Sequence, residues 1–513
     1  MPRRNILTDR QRAVLFDLPT DQSALLRHYT LADDDLEIIR ARRRPHNRFG
    51  FALQLCALRY PGRLLAPGEV IPEAVTRFLA AQLGLRPDDL ADYAAREETR
   101  REHLAALREV YGYKMFTGRG ARDLKAWLED AAETARSNED LARSFVEQCR
   151  ATQTILPGTT VIERLCADAL VAAERRVDAR IAGRLDKEMG NRLDALLTED
   201  AGGSVTRFVW LRQFEVGQNS ADMNRLLDRL EFLRALAPGG GLLADVPPHR
   251  VTRLRRQGER YFAGDLRDIS GEHRLAILAV CALEWRSAIA DAVVETHDRI
   301  VGKTWREAKS RCDARADDAK AALKDTLYAF STLGSALLEA HEDRASLEEA
   351  VQNAGGWASL RGLVATAAQL TDTLAADPLA HVVHGYHRFR RYTPRMLRLL
   401  DIQAAPVAVP LLEAAGIIAR TETTVTLPLT FLRRGSKWQR HLNADEADGQ
   451  RLWEVAVLFH LREAFRSGDI WLVHSRRFGD LKEALVPAEV ARATPRLAMP
   501  FEPEAWLADR KAR

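Results

Sequence analysis

Gly302, Lys303 and Thr304 spell the end of a phosphate-binding loop, in which backbone amides and a lysine cradle phosphate oxygens. The glycine such a loop needs five residues before Gly302 is replaced by His297, and no glycine-rich cradle precedes it, so nucleotide binding is not supported. His381, His384 and His387 offer imidazoles for a metal, and His387-x-x-Arg390 sets Tyr392 beside a pair that could activate a tyrosine nucleophile. Steps of three residues turn a helix by about 300° each, so the outer two histidines diverge rather than converge on an ion. A single residue between Arg390 and Tyr392 leaves the nucleophile too little room. Asp33, Asp34 and Asp35 resemble a carboxylate cluster, but they fall in the first turn of a predicted helix, where acids favour the positive end of the dipole. No two carboxylates are spaced as a catalytic pair, and the chain does not read as a complete enzyme.

Basic side chains interleaved with aromatic ones recur instead. "RARRRPHNRFGF" joins Arg42, Arg43 and Arg44 to Asn47, Arg48 and Phe49, and Arg59 follows at the end of the same helix. "YGYKMFTGRGARDLKAW" sets Tyr113, Lys114 and Arg119 among glycines, and "FLRRGSKWQRHL" groups Arg434, Lys437 and Trp438, three runs in all, with Arg476 and Arg477 as further DNA-contacting candidates nearer the end. Arginines and backbone amides position phosphates, while short polar and planar groups reach sugars and base edges. One such run alone is more often a solvated face. Their recurrence beside turns at helix starts points to nucleic acid, with Arg42 to Arg44 on the phosphates and Asn47 and Arg48 placed for base readout.

The elements that must position these residues are almost all helices, because apolar residues recur at three- and four-residue spacing and Ala, Leu, Arg and Glu dominate. Helical runs are predicted over 8–17, 21–29, 33–43 and 47–60. The order of "DDDLEIIRARRRPHNRFGFALQLCALR" is that of a helix-turn-helix: an acidic-started helix, a basic turn, a second helix. A long helix is predicted over 161–197 with Thr160 as N-cap, then a helical set over 204–300. Long polar helices over 305–350 carry an apolar stripe of Leu323, Leu327, Phe330, Leu337 and Leu338, read as core in preference to a dimer seam. The clearest strand signal is "TTVTLPLTFL", 423–432. The final "FEPEAWLADRKAR" starts a helix at Pro503 without ending it, and is read as a chain cut inside an element.

The fold expected is therefore mainly α, a multi-domain array of helix-turn-helix-like DNA-binding modules with long linking helices and minor β near 420–432. Its divisions are a basic module over 1–66, a second module over 67–160, a long helix and third module over 161–305, a linker or dimerisation region over 306–405 and a last region over 406–513. With 46 % hydrophobic and 29 % charged residues the 513-residue chain has the composition of several folded domains. Its net charge is only +4, but residues 1–65 hold twelve arginines against seven acids, which makes the N-terminal end the basic one. Five cysteines, scattered and without a C-x-x-C pair, support neither a disulfide framework nor a structural zinc site. No apolar run is long enough for a membrane span and "MPRRNILTDRQR" lacks a signal-peptide core, so a cytoplasmic protein is expected.

These stretches together resemble the N-terminal half of the replicative transposases of class II transposons, the Tn-three family. The blocks occur in order: "MPRRNILTDRQR", "LLRHYTLADDDLEIIRARRRPHNRFGFALQLCALRYPGR", "YGYKMF", "DLKAWLEDAAE", "VPPHRVTRLRRQGERYFAGDLRDISGEHRLAILAVCALEW" and "FRSGDIWLVHSRRFGDLKEALVP". The resemblance implies helical domains that recognise the transposon's terminal inverted repeats as double-stranded DNA. It also implies a ribonuclease-H-like domain farther on, where two aspartates and a glutamate hold divalent metal. The chain stops before that domain, so no cofactor and no strand cleavage are expected of it alone. Two other readings stay open: a regulator that competes with full-length transposase, and one half of a split enzyme completed in trans. The protein partner expected is a second copy or the full-length transposase.

Overall fold

The computed structural model describes residues 7–66, 68–95, 97–199, 205–236, 239, 241–344, 346–421, 427–444, 449–473, 475–485 and 490. It is mainly α-helical, as the sequence predicts, with one two-stranded sheet among the described residues. The chain divides into two compact units, residues 1–194 with 238–280 and residues 195–237 with 281–513.

The first unit opens with α1 (Asp9–Phe16), α2 (Gln22–His28), α3 (Asp33–Arg40) and α4 (Pro45–Arg59), all close to the runs their periodicity predicts. Local chemistry sets the ends. Thr8 N–H donates to Gln11 Oε1 (2.8 Å) and Gln11 N–H to Thr8 Oγ1 (3.3 Å), a reciprocal cap on α1. Asp21 accepts from Ala24 N–H at 2.8 Å and starts α2. Pro45 stands in the first turn of α4, where a missing N–H leaves no bond unmade. Next come α5 (Glu73–Leu83), α6 (Glu97–Tyr111), α7 (Gly118–Thr134), α8 (Asn138–Ala151), α9 (Thr159–Gly183) and α10 (Lys187–Asp194). The single helix expected over 161–197 is thus broken after Gly183. Asp186 restarts it by accepting from Met189 N–H at 2.7 Å, a local cap that competes with continuation of the helix. The N-cap of α9 is Gly158, two residues ahead of the expected Thr160.

Two buried clusters organise these helices. One gathers Tyr29, Ile39, Phe49, Phe51 and Leu55 with Val75, Leu79 and Leu107, and takes Ile155 from much farther along. The other joins Leu7, Leu15 and Phe16 to Leu124, Leu128, Phe145, Val146, Ile162 and Cys166, so α1 packs with α7, α8 and α9. After α11 (Arg207–Arg212) and α12 (Ser220–Leu236), which belong to the second unit, the chain completes the first with α13 (Pro248–Arg260), α14 (Ala263–Asp268) and the start of α15 (Gly271–Glu342).

The second unit continues through α15, then α16 (Leu347–Asn353), α17 (Gly356–Leu374), the short α18 (Leu379–Val382) and α19 (Tyr386–Phe389), α20 (Thr393–Leu399), α21 (Val409–Arg420), α22 (Lys437–Ala444), α23 (Gly449–Ser467) and α24 (Leu481–Ala484). In α23, Trp453, Val455, Ala456, Val457, Leu458 and Leu461 are buried. β1 (Ile402–Ala404) pairs antiparallel with β2 (Ile470–Leu472), Ile402 opposite Leu472. The strand expected at 423–432 is not where the sheet forms: 423–426 lie outside the described residues, and 427–432 are loop and turn. Pro428 has no N–H for a ladder, and its carbonyl is taken by Trp453 Nε1 at 2.9 Å. The helix expected from Pro503 also lies outside the described residues.

The apolar stripe of α15 departs from its expected burial. Leu323, Phe330 and Leu337 are half-buried, while Leu327 and Leu338 are exposed by 58 % and 64 %. Helical spacing put these residues on one face, but cover along that face is partial: Thr326, Leu333 and Ala340 are the positions buried there.

Candidate nucleic-acid interface

α3 and α4 are joined by the turn Ala41–Arg44, the order read from the sequence. Three contacts shape the turn. Arg42 N–H donates to the Ile39 carbonyl at 3.1 Å, Arg48 Nε donates to the Arg42 carbonyl at 2.7 Å, and the Arg42 guanidinium lies 4.5 Å from the Phe51 ring centre. Arg42 and Arg48 therefore hold the turn in shape. Arg40, Arg43 and Arg44 are exposed and have no ion-pair partner among the described residues. Asn47 is half-buried on the first turn of α4, its side chain without a hydrogen bond among the described residues. From Phe49 to Leu58 every residue of α4 is buried. The helix anchors the module, and only its first turn is available to a partner.

Arg59, at the far end of α4, is turned inward. It donates to Asp35 Oδ1 at 2.7 Å, the Tyr111 hydroxyl donates to the same oxygen at 2.9 Å, and Ala32 N–H donates to Oδ2 at 2.9 Å. Burial pushes the Asp35 carboxyl up, but the bonds from Arg59, Ala32 and Tyr111 outweigh it and hold the group below the usual carboxylate range. Asp33 and Asp34 are exposed at the start of α3, as the dipole argument expects, whereas Asp35 is 2 % exposed and ties three helices together. The signal for that difference was its spacing of four from the buried Ile39, which puts both on one helix face.

In the second basic stretch, Tyr113 packs against the cluster that contains Phe49 and Leu55, so it shares a core with α4. Lys114 is held by its backbone, its N–H donating to the Gln153 carbonyl (2.9 Å) and its carbonyl accepting from Ile155 N–H (2.8 Å), which leaves its side chain exposed. Gly112 (φ 73°) and Gly118 (φ 60°) let the intervening loop take left-handed turns that L side chains resist. Arg119 sits 3.8 Å from Asp123 on the solvated face of α7, a loose pair.

The other two groups belong to the second unit. Arg434 is exposed without an ion-pair partner among the described residues, Lys437 pairs with Asp377 at 3.0 Å, and the Trp438 ring packs edge-on at 5.4 Å from Phe459. Arg476 and Arg477 are exposed yet engaged, Arg476 with Glu284 at 2.6 Å and Arg477 with Glu295 at 2.5 Å, both acids on α15. Ser475 Oγ adds a bond to Asp291 at 2.5 Å, so this loop is tied to α15 by three successive residues.

The other chemistries considered from the sequence find no geometry. Gly302, Lys303 and Thr304 lie inside α15, where Thr304 Oγ1 donates to the Ile300 carbonyl at 3.0 Å and no loop of free amides exists. Tyr392 is fully buried, its hydroxyl 3.0 Å from His297 Nδ1. Among the described residues no group of three or more His, Cys, Asp or Glu could hold a metal ion, and no helix is long and apolar enough to cross a membrane. Sequence reading missed the basic face of α13. Its signal is the spacing of His249, Arg253, Arg256 and Arg260, at steps of four, three and four.

Residues 6–169 match a family model described as a domain of unknown function, DUF4158. Over 495 residues the chain is 34 % identical to the transposase for transposon Tn3926 of Escherichia coli, covering 95 % of this chain and 50 % of that protein. The transposase for transposon Tn501 of Pseudomonas aeruginosa is 34 % identical over 498 residues, with 95 % and 50 % covered. The transposase for transposon Tn1546 of Enterococcus faecium is 27 % identical over 521 residues, with 99 % and 52 % covered. Along nearly its whole length the chain is related to transposases, and it spans about half the length of these relatives.

Proposed function

We propose that this chain is the end-recognition part of a replicative transposase of the Tn-three family, and that it binds double-stranded DNA at the terminal inverted repeats. The observation that carries the reading is kinship to transposases over 95 % of the chain. The turn between α3 and α4 supports it: Arg40, Arg43 and Arg44 present charge that no ion pair takes up among the described residues, on a helix pair whose second member is locked into a core. Such charge positions phosphates, and Asn47 and the first turn of α4 stand next to it for base edges.

In this reading, strand cleavage and joining, with the divalent metal they use, belong to the part of the relatives' length that this chain does not span. The chain binds DNA ends without cutting them, needs no cofactor for binding, and has a second copy or the full-length transposase as its protein partner. A gel-shift titration with a duplex carrying the element's terminal repeat, beside a scrambled duplex of equal length, tests the reading. Tighter binding to the repeat is expected. Equal affinity for both duplexes overturns end recognition, and nicking of the repeat by the purified chain with Mg²⁺ overturns the division of labour.

A further inference from the structure

α13 presents two faces of opposite character. Arg250, Val251, Leu254 and Gly258 are buried, while His249, Arg253, Arg256 and Arg260 fall along one side at i, i+4, i+7 and i+11. That side borders a groove of about 780 Å³ whose opposite wall is the turn before α8, with Arg136, Ser137 and Asn138. No aspartate or glutamate lines the groove. Glu174 lies close by and takes up Arg250, at 3.2 Å, and Arg253. Arg136, Arg256 and Arg260 are exposed and have no ion-pair partner among the described residues. His249 Nε2 is buried without a hydrogen bond, and its ring is driven toward the neutral form by burial first and then by the charges of Arg250 and Arg136.

Arg136, Arg256 and Arg260 stand together without counter-charges of their own and repel one another, so this arrangement favours any anion that enters. The geometry narrows which anion. From Arg253 to Arg260 seven residues of helix rise by about 10 Å, with Arg136 on the facing wall, so the charge is spread along the groove rather than gathered at a point. A compact anion would satisfy one or two of these guanidiniums. A phosphodiester strand carries a charge about every 3.4 Å along the duplex axis and matches the whole line. Ser137 and Asn138 add short polar groups of the kind that bond sugar and phosphate oxygens.

We propose that the groove between Arg136 and the basic face of α13 is a second phosphodiester site, separate from the turn at Ala41–Arg44, which grips duplex DNA without reading its sequence. This rests on the reading of the chain as a DNA-binding protein. The test is a salt titration of binding by the 513-residue chain, using the terminal-repeat duplex and a scrambled duplex, for wild type and for Arg136→Ala/Arg256→Ala/Arg260→Ala. Loss of three phosphate contacts lowers the slope of log K against log salt by about 2.7, equally on both duplexes. Lysine at the same three positions restores most of the slope, because a point charge suffices for a phosphate. Where the triple variant proves less stable, Arg256→Glu alone, at an exposed position, is expected to weaken both complexes. An unchanged slope and affinity in folded variants overturns the groove while leaving DNA binding in place. Wild type that binds neither duplex overturns the DNA reading itself. Displacement of the duplex by polyglutamate at equal charge concentration overturns the assignment in favour of an acidic protein partner.

Discussion

The Asp35 carboxylate accepts a hydrogen bond from the Arg59 guanidinium at 2.7 Å, and that single contact joins the first turn of α3 to the last turn of α4. The basic turn between the two helices is thereby held at both ends of a closed local frame, with Tyr111 of α6 as the third member. Arginines of one sequence type divide here into those that build the frame and those that face outward.

Asp35→Asn should cost about 1–3 kcal/mol at neutral pH, because a buried group then faces Arg59 without a charge. The Asp35 carboxyl titrates below its ordinary value in the folded chain, so its contribution is complete above the ordinary carboxylate pKa and fades as pH falls through the lower folded value. Urea midpoints measured from pH 7 to pH 3 should show wild type and variant converging at the acid end. A gap that stays constant would remove the ion pair from the account.

Arg43→Ala/Arg44→Ala should leave thermal stability unchanged and lower the salt slope of DNA binding by about 2, at 0.9 for each phosphate contact. Arg42→Ala should behave differently: its guanidinium lies on Phe51, and its removal should also cost about 0.5–1 kcal/mol of stability. Melting curves alongside salt titrations separate the two outcomes, and a stable double variant with an unaltered slope argues against phosphate contact at the turn.

Asn47→Ala should reduce discrimination between the terminal repeat and scrambled DNA by about 1–3 kcal/mol while leaving non-specific affinity in place. Arg48→Ala loosens the turn, since its Nε bond to the Arg42 carbonyl is lost, and should weaken both complexes together. Competition binding with the two duplexes reads the difference directly.

Arg476→Ala and Arg477→Ala should each lower stability by up to about 1 kcal/mol, the scale of a solvent-accessible ion pair, through loss of the bonds to Glu284 and Glu295. DNA affinity should change little in either variant. A fall in affinity at unaltered melting temperature would return both residues to the DNA-contacting set.

Burial lowers the His297 pKa from 6.5 to about 4, against the hydrogen bond to the Leu458 carbonyl. Between those values the unfolded chain binds the extra proton, so stability falls as pH drops from 6.5 toward 4, by up to about 3 kcal/mol from this residue. His297→Gln should be less stable at pH 7 and show a flatter acid dependence. Matching pH slopes for the two proteins would exclude His297 as the source.

The positions of α1 to α4, the α3–turn–α4 order and the basic N-terminal end follow from the sequence alone, because they rest on local periodicity, caps and composition. The same local information places Asn47 and Arg48 at the start of α4 and Arg43 and Arg44 in the turn before it. It does not tell a free arginine from a spent one. Arg59 meets an acid 24 positions away and Arg476 one 192 positions away, and those meetings depend on which helices share a core. Leu327 and Leu338 show the same limit from the apolar side: spacing sets the face of a helix, and only packing sets whether that face is covered. The strands at 402–404 and 470–472 escaped notice because three residues carry too little alternation to register, and their pairing is made by the helices that bring them together. What the tertiary structure decided, then, was where charge is neutralised and where it is left to a partner, since electrostatic pairing acts through space and periodicity acts along the chain.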